Sequence, residues 1–217
     1  MRSFYVTAIG TEIGKTYVSS LLLKRWRAAG KSVHALKPVM SGFGEVDLAE
    51  SDAGQLLAAS GCQVTPQAVS EICFQRFEAP LAPNVAMRQT GVSQDYDAIL
   101  EFTRQRLCAS TADVALVEGA GGVMSPLTDE KLQIDFMVDL ALPVILVAAP
   151  YLGAVSHSLT AIDMLAKYGL ELHSLIISQP NAEDGTPESL GSEIALFRKV
   201  NWSSVPYGSN EILVYQI

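Results

Sequence analysis

The stretch FYVTAIGTEIGKTYVSSLLLKRWRAA, residues 4–29, constrains the fold more than any other part of the chain. Apolar residues run without alternation to Ile9, GTEIGKT follows, and then Val18, Leu21, Leu22, Trp26 and Ala29 recur at helical spacing before Gly30 supplies a stop. A buried strand that feeds a glycine-bearing turn and then an amphipathic helix is the opening unit of a parallel α/β sheet. Gly14, Lys15 and Thr16 match the end of the pattern G-x-x-x-x-G-K-[ST], in the strand–turn–helix setting that the pattern requires. Free N–H groups at the helix start, together with the helix dipole, make such a turn an anion site before any side chain is counted. Lys15 adds a charge for β- and γ-phosphates, and Thr16 adds a hydroxyl ligand for Mg²⁺. The match has departures: Ile9 stands where the leading glycine belongs, Gly10 comes one place late, and Glu12 puts an acid inside the loop.

The same alternation continues along the chain. SVHAL (32–36) reads as a second strand ended by Lys37-Pro38, because the residue before proline leaves helical space. Further strands are expected at DVALV (113–117), PVILVAA (143–149), LHSLIIS (172–178) and a short stretch near the C-terminus. Helices are expected over 15–29, 52–60, 94–109 with Ser93 as N-cap, 132–141, 153–168 and 187–199. The β-branched run at 143–149 lacks alternation, as expected of a strand covered on both faces. The architecture expected is one α/β domain over residues 1–217, a doubly wound, mostly parallel sheet with helices on both faces. In a right-handed βαβ unit the second strand is expected near the first. Residues 75–92 read as a loop excursion or flap, with Pro66, Pro80 and Pro83 nearby.

Composition excludes several classes. With 49% hydrophobic and 18% charged residues the chain is globular, and a domain of 217 residues builds its core without metal or disulfide staples. A net charge of −8 and the lack of any long basic run argue against a nucleic-acid or anionic-membrane surface. The three cysteines form no C-x-x-C pair and the three histidines have no zinc-ligand spacing. The N-terminus runs straight into a strand pattern, and the longest apolar stretch, residues 140–155, is interrupted by Pro143 and Pro150. A cytoplasmic protein with reduced thiols is expected.

Ligands of open parallel sheets bind beyond the carboxyl ends of the strands, and the remaining chemistry-bearing residues cluster at such ends. Lys37 ends the second strand, followed by Ser41 and Gly42 in KPVMSG. DVALV runs into EGAGG, where Glu118 is an acid just past a buried strand, the arrangement that holds Mg²⁺ opposite a phosphate loop. Gly119, Gly121 and Gly122 let backbone approach a ligand. Asp52 is either a third acid of the site or a residue favoured by a helix N-terminus. Gly153, Ala154, Val155 and Ser156 form a helix start able to take a carboxylate, while His157 reads as an ordinary helix residue. Nothing supports a Ser/His/Asp relay.

Taken together, TEIGKT, KPVMSG, SDA, LVEGAGG and LPVILVAAPYLGAVSH, in this order and at these separations, resemble the dethiobiotin synthetase family from Tyr5 to about Ser178. The resemblance implies a phosphate-loop fold, a homodimer, and a reaction that uses ATP, Mg²⁺, CO₂ and 7,8-diaminononanoate to give dethiobiotin, ADP and phosphate. It implies Thr16, Asp52 and Glu118 around Mg²⁺. Glu12, Ile13, Gly14, Lys15, Thr16 and Tyr17 would line the ATP with Glu118, Gly119, Ala120 and Gly121. Thr11, Lys37 and Ser41 would face the diamine or its carbamate, with Lys37 and Lys15 in the catalytic role, and Gly153–Ser156 would receive the substrate carboxylate from the partner subunit. Ser178 and Gln179 stand where members often place an asparagine that reads adenine, Ala8 where glycine is common, and SVPYGSNEI is a shortened tail; these bear on base selectivity, not on phosphate chemistry. The competing class, partition and maturation ATPases, carries a lysine early in the loop, and between Tyr5 and Gly14 there is none. A non-catalytic nucleotide-binding module would leave Lys37 and Ser41 idle.

Overall fold

The computed structural model describes residues 1–44 and 47–215. The first half of the chain comprises β1 (Arg2–Ala8), α1 (Lys15–Ala28), β2 (Val33–Leu36), β3 (Val39–Ser41), α2 (Asp52–Ala59), α3 (Pro66–Ile72), β4 (Gln75–Phe77), α4 (Pro83–Thr90) and α5 (Tyr96–Ala109). Then come β5 (Val114–Glu118), α6 (Gln133–Leu140), β6 (Val144–Ala148), α7 (Ala154–Lys167), β7 (Leu172–Ser178), α8 (Pro187–Ala195), β8 (Trp202–Val205) and β9 (Leu213–Tyr215). The main sheet has the order β2-β5-β1-β6-β7-β8-β9, parallel throughout except for the antiparallel pair β8–β9.

The sheet explains the unalternating apolar runs. Successive side chains of a strand point to opposite faces. In β1, Phe4, Val6 and Ala8 join one buried cluster with Val18, Leu22 and Val147, while Tyr5 joins the other with Leu36, Phe136 and Leu146. Both faces are covered, so both sets of positions must be apolar. No helix among the described residues is long and apolar enough to cross a membrane.

The expected doubly wound α/β architecture is present, with corrections in detail. β2 does not lie beside β1; β5 is inserted between them and pairs with both. Residues 75–92 are not a plain loop, since β4 pairs with β3 in a small parallel sheet and α4 follows. The helix expected from residue 94 starts at Tyr96, and its N-cap is Asp95, whose carboxylate accepts from Ala98 N at 2.9 Å, not Ser93. Two of the helix-forming segments were illegible without tertiary context or proline rules: α3 starts at Pro66 behind the cap Thr65, and α4 starts at Pro83, the first-turn position that proline favours.

Candidate functional site

β2, β5 and β1 are adjacent, so their carboxyl ends deliver Lys37, Glu118 and the loop 9–14 to one place. A cleft of about 600 Å³ opens there. Thr11, Glu12, Ile13, Gly14, Lys15, Thr16 and Tyr17 border it together with Lys37, Ser41, Asp52, Ala120 and Gly121.

The loop owes its shape to a few residues. Gly14 is the N-cap of α1 at φ 87°, and a Cβ there would lie 2.8 Å from Ser178 Oγ. Only glycine meets both demands, a left-handed backbone and a contact with the neighbouring strand end. Ile13 is buried in the cluster that holds Ala8 and Val147, which plugs the loop into the sheet. Glu12 is also left-handed, φ 59°, although it carries a side chain. Ala8 is buried, and its backbone is met from both sides: Val123 N donates to Ala8 O at 3.1 Å, and Ile9 N donates to Val147 O at 3.0 Å. A Cβ on Gly122 would come 3.1 Å from Ala8 O, so it is Gly122 that makes room for close approach of the two loops.

Two lysines and two carboxylates meet here: Lys15, Lys37 and Asp52 border the cleft, whereas Glu118 is buried and lies behind its wall. Lys37 Nζ lies 2.7 Å from Glu118 Oε1 and 2.8 Å from Asp52 Oδ2, and it also donates to Gly119 O at 3.2 Å. Burial alone would depress the Lys37 ammonium, but the Glu118 and Asp52 carboxylates outweigh it and hold the group above the ordinary lysine value. Burial likewise favours the neutral form of Asp52, and the Lys37 charge with hydrogen bonds from Lys37 and Thr16 reverses that and keeps the carboxyl below its usual range. Lys15 is 8% exposed and reaches back to Gly10 O at 3.3 Å. Burial, reinforced by the nearby Lys37 charge, pushes it down to about 8, against the pull of Glu118 and Asp52. Asp52 and Glu118 therefore stabilise Lys37 in full and Lys15 only in part. A bound polyanion would supply the missing negative charge.

Thr16 Oγ1 stands 2.8 Å from both Asp52 Oδ1 and Glu118 Oε1. A hydroxyl has one proton to give and cannot serve both carboxylates, so three hard oxygens crowd together, with Glu118 Oε1 also met by the Lys37 ammonium. Two carboxylates and a hydroxyl are the donors that magnesium takes, usually completed by substrate phosphates, and the crowding is of the kind that a cation relieves. The residues present fit Mg²⁺. No group of three or more His, Cys, Asp or Glu side chains suited to a metal occurs among the described residues.

Other expected residues fall elsewhere. Gly119 lies behind the cleft wall rather than on it, its carbonyl turned to Lys37. Ser178 is buried beneath Gly14, and the Gln179 amide is spent on backbone, donating to Asp184 O at 3.3 Å and accepting from Tyr207 N at 3.1 Å. Neither borders the cleft, whereas the next residue, Pro180, does. Gly153 caps α7 at φ 95°, and none of Gly153, Ala154, Val155 and Ser156 borders the cleft of its own chain. His157 Nδ1 is 2.7 Å from the Tyr151 hydroxyl. The segment expected as a loop excursion or flap sends the strap Pro80-Leu81-Ala82-Pro83 to the cleft, a contact the sequence did not show, and Gln55 and Ser125 border it as well. The run EAPLAP signalled a turn-rich segment, but its approach to the cleft depends on the pairing of β3 with β4.

Comparisons with known proteins agree with this geometry. A family model described as an AAA domain matches residues 2–205. The chain is 40% identical over 210 residues to the ATP-dependent dethiobiotin synthetase of Caulobacter vibrioides (strain NA1000 / CB15N), covering 97% of this chain and 94% of that one. It is 46% identical over 188 residues to the ATP-dependent dethiobiotin synthetase of Phenylobacterium zucineum (strain HLK1), covering 85% of this chain and 80% of that one. Among solved structures, the septum site-determining protein MinD of Pyrococcus horikoshii OT3, complexed with Mg-ADP, superposes with a TM-score of 0.53 at 15% identity over 94% of this chain and 81% of that one. The signal recognition particle receptor FtsY of Elizabethkingia anophelis gives 0.52 at 15% identity over 99% of this chain and 60% of that one. At these identities the structural likeness speaks for the fold alone.

Proposed function

This chain belongs to the ATP-dependent dethiobiotin synthetase family, and we propose that its cleft closes the ureido ring of dethiobiotin between Lys15, Lys37 and the phosphate loop. The enzyme is an ATP-dependent ligase of biotin biosynthesis that forms C–N bonds. In the proposed sequence one amine of 7,8-diaminononanoate adds to CO₂ and loses a proton, giving a carbamate. A carbamate oxygen attacks the γ-phosphorus of ATP, ADP leaves, and a carbamoyl phosphate anhydride results. The neighbouring amine then attacks the carbamoyl carbon, phosphate leaves with the C–O bonding pair, and the nitrogen gives up its proton.

The difficulty of the first phosphoryl step is electrostatic, because two anions are pushed together. The loop's N–H groups, starting at Lys15, hold the phosphates, and the Lys15 ammonium regains full charge beside them. Lys37 borders the cleft beside Asp52, with Glu118 behind it, and would neutralise the charge that develops on the carbamate. Thr11 and Ser41 border the same cleft and orient the diamine. The Thr16 hydroxyl and the Asp52 and Glu118 carboxylates would hold Mg²⁺ with the nucleotide, where the ion supplies charge neutralisation on the phosphates. No nucleophilic side chain is needed.

The observation that carries this reading is the Lys37 ammonium, 3% exposed and held by Asp52 and Glu118 at the head of a phosphate loop. A plain nucleotide-binding module has no use for a buried cation there. We extend the proposal to a cytoplasmic homodimer in which Gly153–Ser156 of one subunit take the substrate carboxylate bound to the other, because that helix start lies outside its own cleft and Leu152 beside it is fully exposed. Phosphate release from ATP in the presence of CO₂ tests the function. Strict dependence on diaminononanoate is expected, and equal turnover without it would favour a general ATPase.

A further inference from the structure

Tyr5 is wholly buried in the middle of the sheet and takes no part in the reaction above. Its hydroxyl donates to Gln133 Oε1 at 2.6 Å, at the first turn of α6, and Gln133 is buried as well. The pair presses on the turn after β5: a Cβ on Gly119 would come within 2.5 Å of the Tyr5 hydroxyl oxygen and 3.0 Å of Gln133 Oε1. That turn bears directly on the site. Lys37 Nζ donates both to the Gly119 carbonyl and to Glu118 Oε1.

Tyr5, Gln133, Gly119 and Glu118 together border a cavity of about 10 Å³, roughly the space one water needs. Glu118 Oε2 is buried and has no hydrogen-bond partner among the described residues. Tyr5 gives its one proton to Gln133, so its own oxygen is left to accept. Burial pushes the hydroxyl well above the ordinary tyrosine range, which keeps it neutral. A phenylalanine would fill this part of the core equally well, and buried polar groups are costly unless satisfied. The hydroxyl and the amide thus call for a role other than packing.

We propose that Tyr5 and Gln133 are a positioning pair for Glu118: a water between them donates one hydrogen to Glu118 Oε2 and one to the Tyr5 oxygen, and the pair braces the Gly119 turn, so that Glu118 Oε1 stays aimed at Thr16 and Lys37. The proposal rests on the reading of Glu118 as a ligand of the nucleotide's Mg²⁺.

Two variants test it. Tyr5→Phe leaves Gln133 Oε1 unmet, whereas Tyr5→Phe/Gln133→Met removes both polar groups at nearly constant volume. The measurements are the unfolding temperature, the Mn²⁺ affinity of the protein with a non-hydrolysable ATP analogue by electron paramagnetic resonance, and kcat for diamine-dependent phosphate release. Replacing both partners of a buried hydrogen bond by apolar groups is close to neutral for stability, so the double variant regains the unfolding temperature. Mn²⁺ affinity and kcat stay about tenfold down in both variants, as for other outer partners of a metal-binding carboxylate. Recovery of both in the double variant would reduce the pair to packing and overturn the proposal. Absence of Mn²⁺ binding by the wild-type protein would sink the magnesium reading alone. The pair is then decided by a high-resolution structure of Tyr5→Phe: a displaced Glu118 carboxylate with lowered kcat upholds it, and an unmoved one with full kcat overturns it.

Discussion

The ammonium of Lys37 lies 2.7 Å from the Glu118 carboxylate, with the two side chains 3% and 0% exposed. Neighbouring strands β2 and β5 carry these residues at their ends, so the ion pair is fixed by the sheet. Lys37→Gln leaves the buried Glu118 carboxylate without its ion-pair partner, and removing one partner of a buried pair costs about 3–5 kcal/mol. A lowered unfolding temperature is expected. The turnover number for diamine-dependent phosphate release should fall about 10²–10³-fold, the usual loss for one transition-state charge partner. Nucleotide affinity, measured by calorimetric titration, should change far less, because Lys15 and the loop N–H groups remain. Undiminished turnover would remove Lys37 from the mechanism.

Gly14→Ala meets two obstacles at once, the left-handed backbone at φ 87° and Ser178 Oγ at 2.8 Å from the new Cβ. A side chain in that conformation costs roughly 1–2 kcal/mol before any contact is considered. Denaturant unfolding should show a loss of at least that size, and nucleotide binding should fall with it. Adding Ser178→Gly removes the contact but not the backbone strain, so the double variant should recover only part of the stability. Full recovery would mean that the backbone at this position is unstrained.

Much of this arrangement is legible in the sequence, because strand–loop–helix units and the GKT ending depend on local patterns. Lys37, Asp52, Ser41 and the EGAGG turn are visible for the same reason, each sitting beside a strand end or a helix start. Strand order is not local. The insertion of β5 between β1 and β2 leaves no trace in either segment, although it is what brings Glu118 to Lys37. The Tyr5–Gln133 bond joins residues 128 apart, and a tyrosine in an apolar run reads simply as core. Ser93 and Asp95 are both cap formers, and only the structure shows which one receives Ala98 N. The segment 75–92 is legible as an excursion, but the place of its strap 80–83 on the cleft is not, because β3 and β4 are too short to announce themselves.

Asp129 fastens α4, the helix that carries the end of this strap. Its carboxylate accepts from Asn84 Nδ2 at 3.0 Å and from Gln94 Nε2 at 2.9 Å, and it pairs with Arg88. The hydrogen bonds from Asn84 and Gln94, with the Arg88 charge, hold its carboxyl below the ordinary value of 3.8. A carboxyl depressed by folding stabilises the protein above its unfolded value, and that contribution disappears as pH falls through the lower folded value. The unfolding temperature of wild type should therefore drop more steeply below about pH 4 than that of Asp129→Asn. Parallel acid limbs in thermal scans from pH 6 to pH 2.5 would show that these bonds add no stability.

Glu12 shows how the loop exchanges stability for chemistry. It holds a left-handed backbone, φ 59°, without glycine's freedom, and its exposed side chain sits on the rim of the cleft. Strain of this type costs on the order of 1–2 kcal/mol per residue. Glycine removes it but gives back part of the gain through the greater freedom of the unfolded chain. Glu12→Gly should thus stabilise the protein by several tenths of a kcal/mol up to about 1 kcal/mol, as read from denaturant midpoints. Glu12→Gln keeps the strain and removes only the charge, so its stability should match wild type. If the carboxylate attracts a cationic amine of the diamine, both variants should raise the diamine KM several-fold at low salt, and the effect should shrink as ionic strength rises. A raised KM in Glu12→Gly with none in Glu12→Gln would assign the effect to loop shape instead, and leave the charge without a role.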